Sequence, residues 1–355
     1  MGLKILHSAD WHLGSPFRSL PEENRASLRA AQAEIPERIA ALCAREQCDM
    51  VLLAGDLFDT PTPAAETVRQ FKAAMQAMNV PVFISPGNHD CCTAESVWMT
   101  EQMPENVHVF TGGVEYVDLA VPDCRIYGAG YRSMDCPGLL KNFHAEGTAR
   151  WCVGVFHADP LNLSSPCCPV TAAQVRESGL DYLALGHIHS ASAYRAGETL
   201  CAWPGCPMGR GWDETGEKGA YIASLEETAS VQFQPLGLPQ FYDMTAEIRT
   251  DAYGALEAIL PPTESRDLYR VTLTGTGSVR TDALQRRFAH LALLELHDGT
   301  HADADLWEWA GEDSLRGIFF QMLKEAAEDP QQAQTAILAA ELSQKLLRGE
   351  EVLLP

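Results

Sequence analysis

Residues 3–12 read LKILHSADWH, an apolar stretch that runs directly into Asp10 and His12. Two later stretches repeat this pattern: residues 49–59 read DMVLLAGDLFD and residues 81–90 read PVFISPGNHD. Each of the three predicts a short buried strand that ends at polar side chains. Because ligand sites in α/β proteins form at the carboxyl ends of strands, these ends together predict a functional site.

Segments of helix-forming composition separate the three strands, at 24–46 and 64–78. Strands that alternate with helices predict a parallel sheet and the α/β class. Short segments of β-rich composition follow at 107–110, 114–121, 124–129, 152–157, 181–185, 199–203 and 219–225. The first two thirds of the chain therefore predict an α/β domain that contains much sheet.

A stretch with two prolines and a glycine, PLGLPQFYD at 235–243, predicts a domain boundary. A smaller α+β unit is predicted beyond it, with strands at 268–273 and 291–296, a helix at 281–290, an amphipathic helix at 313–327 capped by Asp313 or Ser314, and a last helix at 331–347. The predicted domains are a catalytic domain at 1–238, a small α+β capping domain at 239–300 and a helical tail at 301–355.

The composition is that of a globular protein, since 46% of the 355 residues are hydrophobic and 21% are charged. The longest apolar runs fall far below the ~18 residues of a membrane-spanning helix, and no signal-peptide pattern is present, so we expect a cytoplasmic protein without a membrane partner. The 11 cysteines show no two-residue spacing, which argues against a zinc ribbon. The net charge of -22 argues against a surface that holds nucleic acid nonspecifically.

Five predicted strands end at side chains that can bind a metal ion. In chain order these are Asp10 and His12, then Asp56, then Asn88 and His89, then His157, and finally His187 and His189. Setting His89 aside leaves a mixed nitrogen and oxygen set of seven ligands, which suits manganese, iron or zinc. Seven ligands exceed what one tetrahedral ion requires, so the set predicts two ions bridged by a carboxylate.

Other polar residues near these motifs allow two interpretations. His7 lies on the first strand, where a buried, hydrogen-bonded histidine is expected and a ligand is not. Arg210, Trp212 and Glu214 lie in a glycine-rich loop after the last motif. A substrate-binding wall and a simple turn remain open for that loop.

The motifs DWH (10–12), GDLFD (55–59), GNHD (87–90), VFHAD around His157 and GHIH (186–189) resemble, in order and spacing, those of the calcineurin-like metallophosphoesterases. Within them, HSADWHLG, GDLFDTPTP and the segment WPGCPMGRGWDETGEKG (203–219) are most similar to the bacterial DNA repair exonuclease subunits of the SbcD-like and YhaO-like group. The resemblance implies a four-layer β-sandwich flanked by helices, with a smaller α+β domain at the C-terminal end.

The resemblance also implies residue roles. One metal ion would be held by Asp10, His12 and His189, a second by Asn88, His157 and His187, with Asp56 as the bridge. A hydroxide that bridges the two ions would attack phosphorus, and His89 would act on the substrate. Asp59 matches the position where phosphatase members carry an aspartate paired to that histidine, whereas many nuclease members have histidine there.

The function predicted in this way is that of a two-metal phosphodiesterase, the DNA exonuclease or endonuclease subunit of an ATPase-coupled repair complex. Manganese is the expected metal, and a coiled-coil SMC-like ATPase is the expected partner, docked on the C-terminal helices. Two alternatives remain: a phosphatase or phosphodiesterase for a small molecule or nucleotide, and a weakly active scaffold for the ATPase. A homodimer is left open.

Overall fold

The computed structural model describes residues 2–120, 123–248, 251–276, 279–300 and 306–349. The strands are β1 (Leu3–Ser8), β2 (Met50–Leu53), β3 (Val82–Ile84), β4 (Val107–Val109), β5 (Glu115–Leu119), β6 (Cys124–Gly128), β7 (Trp151–His157), β8 (Tyr182–Gly186), β9 (Ser192–Ala196), β10 (Thr199–Trp203), β11 (Gly219–Leu225), β12 (Ala229–Pro235), β13 (Phe241–Ile248), β14 (Ser265–Gly275) and β15 (Leu291–Asp298). The helices are α1 (Glu22–Ala33), α2 (Ile35–Glu46), α3 (Ala65–Met78), α4 (Val97–Thr100), α5 (Ala172–Glu177), α6 (Ala252–Glu257), α7 (Thr281–Arg287), α8 (Leu315–Ala327) and α9 (Ala333–Leu347).

Two six-stranded sheets form the main part of the fold. Sheet I has the order β12-β11-β1-β2-β3-β4, and sheet II has the order β5-β6-β7-β8-β10-β9. The strands from β1 to β4 run parallel, as do β6, β7, β8 and β10. The antiparallel pairs are β1 with β11, β11 with β12, β5 with β6, and β9 with β10. A smaller sheet has the order β13-β14-β15. The predicted α/β class is confirmed.

The two large sheets pack face to face through the side chains that alternate along their strands. Leu3 and Ile5 of β1 share a buried cluster with Val153 and Val155 of β7. Leu6, on the opposite face of β1, belongs to a second cluster with the helices α1, α2 and α3. Each such side chain stabilises the fold by about 1.5–3 kcal/mol through burial. A third cluster lies between sheet II and α5. These layers are the four-layer sandwich that the resemblance implied.

Three local features differ from the sequence expectation. The single helix predicted at 24–46 is two helices, because the chain breaks at Glu34 and Pro36 lies in the first turn of α2, where its missing N–H costs nothing. Strands β9 and β12 were not predicted, since both are half-exposed edge strands of mixed polarity. The interruption predicted at 235–243 contains the start of β13. Residue 121 of the predicted strand 114–121 lies outside the described residues.

The chain divides into two compact units. One comprises Met1–Asp243, Thr263–Arg270 and His290–Leu294 and holds both large sheets, and the other comprises Met244–Pro262, Val271–Ala289 and Glu295–Pro355. In the second unit Ser314 caps α8 by accepting a hydrogen bond of 3.0 Å from the backbone N–H of Gly317. The predicted domain limits 1–238, 239–300 and 301–355 stay a prediction, and residues 301–305 and 350–355 of that tail lie outside the described residues. In the described part of the chain, no helix has both the length and the apolar character to cross a membrane.

His7 links the two large sheets and is fully buried. Its Nδ1 lies 2.7 Å from the Tyr182 hydroxyl and its Nε2 lies 3.0 Å from the carbonyl oxygen of Leu185, so both ring nitrogens have hydrogen-bond partners. The expectation of a buried, hydrogen-bonded histidine is confirmed. Burial lowers the pKa of His7 to about 3, although the hydrogen bond to Leu185 favours the protonated ring.

The lowered pKa of His7 predicts a loss of stability in mild acid. The unfolded chain takes up a proton at His7 near pH 6.5, whereas the folded chain does so only near pH 3, so acid favours unfolding between these values. When the pH falls from 7.5 to 5.5, the free energy of unfolding of the wild type should therefore decrease by about 1.4 kcal/mol more than that of a His7→Gln variant. Urea unfolding at both pH values measures this difference. A difference that does not change with pH would contradict the prediction.

Candidate metal centre

The order of strands in the two sheets brings the predicted ligands to one place. Neighbouring strands β1, β2 and β3 of sheet I end just before Asp10, Asp56 and Asn88. In sheet II, β7 ends at His157 and its neighbour β8 ends just before His187. Because these strands are parallel within each sheet, their carboxyl ends share one edge.

The backbone beyond these strands turns sharply. Asp10, His12, Asp56 and His187 have φ angles of 56°, 45°, 51° and 85°, in the left-handed region that side chains other than glycine rarely adopt. Two hydrogen bonds hold the first loop against the second: the backbone N–H of Asp10 donates to Gly55 at 3.0 Å and that of His12 donates to Asp56 at 2.9 Å. The fold thus imposes a conformation that costs free energy and aims these side chains inward.

Close packing of the loops leaves no room for a side chain at Gly87. A Cβ atom there would lie 2.2 Å from Oδ1 of Asp56. The buried carboxylate of Asp90 ties the same two loops together, accepting from the backbone N–H groups of Gly87 at 2.7 Å and Leu57 at 2.9 Å. No sequence pattern indicated this role for Asp90, although the residue ends the GNHD motif.

A first group of potential ligands comprises Asp10, His12 and His189, whose ligand atoms lie within 4.8 Å of one another. Nε2 of His12 lies 3.4 Å from Nε2 of His189. The other ring nitrogen of His189, Nδ1, lies 2.7 Å from the Glu214 carboxylate, which leaves Nε2 to bind a cation. Burial lowers the pKa of His189, but the hydrogen bond to Glu214 and the negative charges of Asp10 and Glu214 together hold it above its ordinary value.

A second group forms around His157. Its Nδ1 donates to the carbonyl oxygen of Ala54 at 2.9 Å, so its Nε2 faces the Oδ1 atom of Asn88 at 3.0 Å. Asp10 and Asp56 also lie within 4.8 Å of the His157 ring nitrogen. A hydrogen bond from one ring nitrogen to a carbonyl commonly fixes the orientation of a metal-binding histidine.

Asp56 lies beside both groups of potential ligands, the one with His12 and the one with His157. Its Oδ2 atom lies 3.7 Å from Nε2 of His12 and 3.5 Å from Nε2 of His157. Its Oδ1 atom accepts a hydrogen bond of 2.9 Å from the backbone N–H of His89. Burial raises the pKa of the Asp56 carboxyl, but the surrounding histidines and this hydrogen bond hold it below its ordinary value, so the carboxylate is charged.

His187 lies at the edge of the site. Its backbone N–H donates to both oxygens of Asp10, at 3.0 and 3.1 Å, and its ring centroid lies 5.1 Å from that of His157. Its Nε2 lies 3.6 Å from the buried carboxylate of Asp159, a neighbour that the sequence did not identify. The structure thus brings all seven predicted ligands to one site, and their assignment to two ions stays a prediction.

Asp59 and His89 have different neighbours from those expected. The Asp59 carboxylate lies 3.4 Å from Nδ1 of His12 and 3.6 Å from Nη1 of Arg210. It is the backbone carbonyl of Asp59, and not its carboxylate, that lies 3.4 Å from Nδ1 of His89. His89 also forms a potential ligand group with His12 and Asp56. His89 is therefore placed both to contact a substrate and to bind a cation.

The donor set fits a pair of divalent cations. Imidazole nitrogens, carboxylates and an amide oxygen converge in the site. The rings of His157 and His189 are each held by a hydrogen bond at Nδ1, which leaves Nε2 for a cation. Among the described residues, Nδ1 of His12 is buried without a well-aligned hydrogen bond, although the Asp59 carboxylate lies 3.4 Å away. Glu214 and Arg210 are in contact with His189. The sequence alone allowed their loop to be either a simple turn or part of a substrate-binding wall.

The sequence profile of the calcineurin-like phosphoesterases matches residues 3–191, and the chain belongs to this family of metal-dependent phosphoesterases. The resemblance described from the motifs is therefore confirmed.

Among its relatives, the chain is 30% identical over 249 residues to the uncharacterized metallophosphoesterase YhaO of Bacillus subtilis, a match that covers 65% of this chain and 60% of the relative. It is 35% identical over 92 residues to the SbcD subunit of the nuclease SbcCD of Bacillus subtilis, covering 25% of this chain and 22% of that protein. These matches span less than two thirds of either relative. A solved dimetal phosphatase from Danio rerio aligns with 66% of this chain and 96% of its own at 12% identity, with a TM-score of 0.44.

The shared position of Asp56 predicts that its substitution affects both cations together. An Asp56→Asn variant keeps the shape of the side chain but removes the charge, so it should retain well under the two divalent ions per chain expected of the wild type. Elemental analysis after gel filtration measures the metal content. An Asp118→Asn variant, changed at a surface pair with Arg125, is the control. Two ions retained in Asp56→Asn would remove the bridging role.

Proposed function

We propose that this protein is a two-metal phosphodiesterase that cleaves DNA, as the nuclease subunit of an ATPase-coupled repair complex. The observation that carries the proposal is the buried carboxylate of Asp56, which has ligand nitrogens from the two sheets at 3.7 and 3.5 Å. A carboxylate shared in this way suits two neighbouring cations. The similarity to the SbcD subunit of the nuclease SbcCD over 92 residues supports DNA as the substrate.

In this proposal Asp10, His12 and His189 would hold one ion, Asn88, His157 and His187 would hold the other, and Asp56 would be shared between them. Two divalent ions, manganese in preference to iron or zinc, would polarise the phosphoryl group and supply a water nucleophile of lowered pKa. Glu214 holds Nδ1 of His189, and the carbonyl oxygen of Ala54 holds Nδ1 of His157, so that Nε2 of each ring is left for an ion.

His89 is suited to act on the substrate. Its backbone N–H is held by Asp56, and its Nδ1 faces the carbonyl oxygen of Asp59, so its Nε2 is the nitrogen left for a substrate. The residue is partly exposed, unlike the fully buried His12 and His157. It would donate a proton to the leaving oxygen or stabilise charge on the phosphoryl group.

A small phosphate ester is the second candidate substrate, and the net charge of -22 favours it. An acidic chain holds a long DNA strand weakly by itself, because phosphate neutralisation needs clustered lysine and arginine. Cations in the site reverse the sign of the local field for one phosphodiester. The extended grip on DNA would then come from the ATPase partner.

The role of His89 and the substrate class are tested together. A His89→Ala variant should keep its metal content while losing about 10²–10⁴-fold in turnover. Purified protein is assayed with manganese, magnesium, zinc or iron against single-stranded DNA, duplex ends, nucleotides and a chromogenic diester. His144→Ala, at an exposed histidine that contacts the carbonyl oxygen of Glu177, is the matched control.

Each other outcome contradicts a stated part of the proposal. Loss of metal from His89→Ala would make His89 a ligand. Cleavage of the diester and of nucleotides without cleavage of DNA would favour the small-molecule enzyme. A metal-loaded protein that cleaves none of the substrates would favour the scaffold.

We propose that the ATPase docks on the exposed apolar face of α8. Leu315 and Met322 lie seven residues apart on one helix face and are 88% and 64% exposed. Apolar side chains exposed in such a row commonly mark a surface that a partner covers.

The docking proposal predicts that charge on this face breaks the complex and spares the chemistry. A Leu315→Glu/Met322→Glu variant should no longer co-purify with a co-expressed coiled-coil ATPase, while its chromogenic-diester turnover stays within about twofold of the wild type. Leu163→Glu, at an exposed leucine of the other compact unit, is the control. Co-purification of the double variant at the wild-type level would contradict this assignment.

A further inference from the structure

The carboxylate of Glu214 lies at the centre of a hydrogen-bond cluster beside the metal centre. It is nearly buried, and it accepts from Nδ1 of His189 at 2.7 Å. It also accepts from Arg210 through the backbone N–H at 2.8 Å, through Nη2 at 2.9 Å and through Nε at 3.3 Å. One carboxylate thus orients both a potential metal ligand and an arginine side chain.

Arg210 extends from this carboxylate across the site. Its Nη2 lies 3.2 Å from Nδ1 of His189, and its Nη1 lies 3.6 Å from Oδ1 of Asp59. The guanidinium group therefore lies between residues that follow two different strands, β8 of sheet II and β2 of sheet I.

The exposure of the side chains shows from which side a substrate can approach. Asp10, His12 and His157 are fully buried. Arg210 and His189 are 22% and 26% exposed, so they lie at the opening of the site.

The guanidinium group keeps hydrogen-bond donors available at this opening. An arginine has five N–H donors, and Glu214 engages those of Nη2 and Nε, the latter at 3.3 Å. The 3.6 Å between Nη1 and Asp59 is too long for a hydrogen bond, so the N–H donors of Nη1 are available to a ligand. Lys218 is a second nearby cation, but it is buried and its Nζ donates to the carbonyl oxygen of His189 at 3.1 Å.

We infer that Arg210 is a catalytic residue that binds a non-bridging oxygen of the substrate phosphate. Glu214 is the positioning residue that fixes the orientation of the Arg210 and His189 side chains. This inference rests on the proposed function only in that the substrate is a phosphate ester. A guanidinium group is a planar donor of fixed positive charge that suits phosphate oxygens, and here Nη1 would donate to the substrate while Glu214 holds Nη2 and Nε. Its fixed charge stabilises the negative charge that the phosphoryl oxygens carry during displacement.

The test measures binding as well as turnover. Inorganic phosphate is titrated by calorimetry into manganese-loaded wild-type protein and into the Arg210→Gln, Arg210→Lys and Glu214→Gln variants. Metal content and kcat and KM for the chromogenic diester are measured on the same preparations. Arg69→Gln, at an exposed arginine paired with Glu66 on α3, is the matched control.

Arg210→Gln should keep two metal ions and stay folded, with a lowered melting temperature because the buried Glu214 loses a charged partner. It should bind phosphate about 10–100-fold more weakly, the loss expected for hydrogen bonds to a charged group. Arg210→Lys should recover part of this loss, because the charge returns without the fork of donors. Glu214→Gln should weaken both phosphate binding and metal retention, since it releases Arg210 and His189 together.

Unchanged phosphate binding in Arg210→Gln would overturn the inference, and so would loss of metal from that variant, which would make Arg210 a structural residue. The outcome is independent of the nuclease proposal. A protein that binds phosphate through Arg210 but leaves DNA intact would contradict the proposed substrate alone, whereas DNA cleavage unaffected in Arg210→Gln would contradict the inference alone.

Discussion

The buried carboxylate of Asp56 meets histidine rings from both large sheets, and the rest of the site is arranged around this contact. His12 follows β1 of sheet I, and His157 ends β7 of sheet II. An isolated charge in such a place would cost several kcal/mol, so the carboxylate requires partners of positive character. The ring nitrogens supply part of this, and two cations would supply the remainder. The place where the two sheets meet at Asp56 is therefore also the place where cations and a phosphate ester could bind.

The loops around Asp56 carry the cost of this arrangement. Asp10, His12 and Asp56 adopt left-handed backbone angles, and Gly87 lies too close to Asp56 to bear a side chain. Asp90 compensates by accepting hydrogen bonds from the backbone of both loops. Rigid loops of this kind hold the ligands in place before a cation binds, which reduces the free energy that binding must spend on ordering.

The negative net charge of the chain makes a positive side chain at the site, such as Arg210, important for attracting a phosphate group. A net charge of -22 makes the chain as a whole repel phosphate, so any attraction must be local. Cations in the site and the guanidinium group at its opening would provide that attraction at one point. The exposed face of α8 belongs to the other compact unit, so the proposed chemistry and the proposed docking surface involve separate parts of the chain.

The sequence by itself determined the strands β1, β2 and β3, the α/β class and the seven residues that gather at the strand ends. These follow from short-range rules, because an apolar strand that ends in Asp, Asn or His is visible within ten residues. Only the tertiary structure decided that the Asp59 carboxylate lies against His12 and Arg210, and that Glu214 holds His189. Those contacts join residues of different loops, where no periodicity links one partner to the other, and their geometry is set by how the two sheets pack.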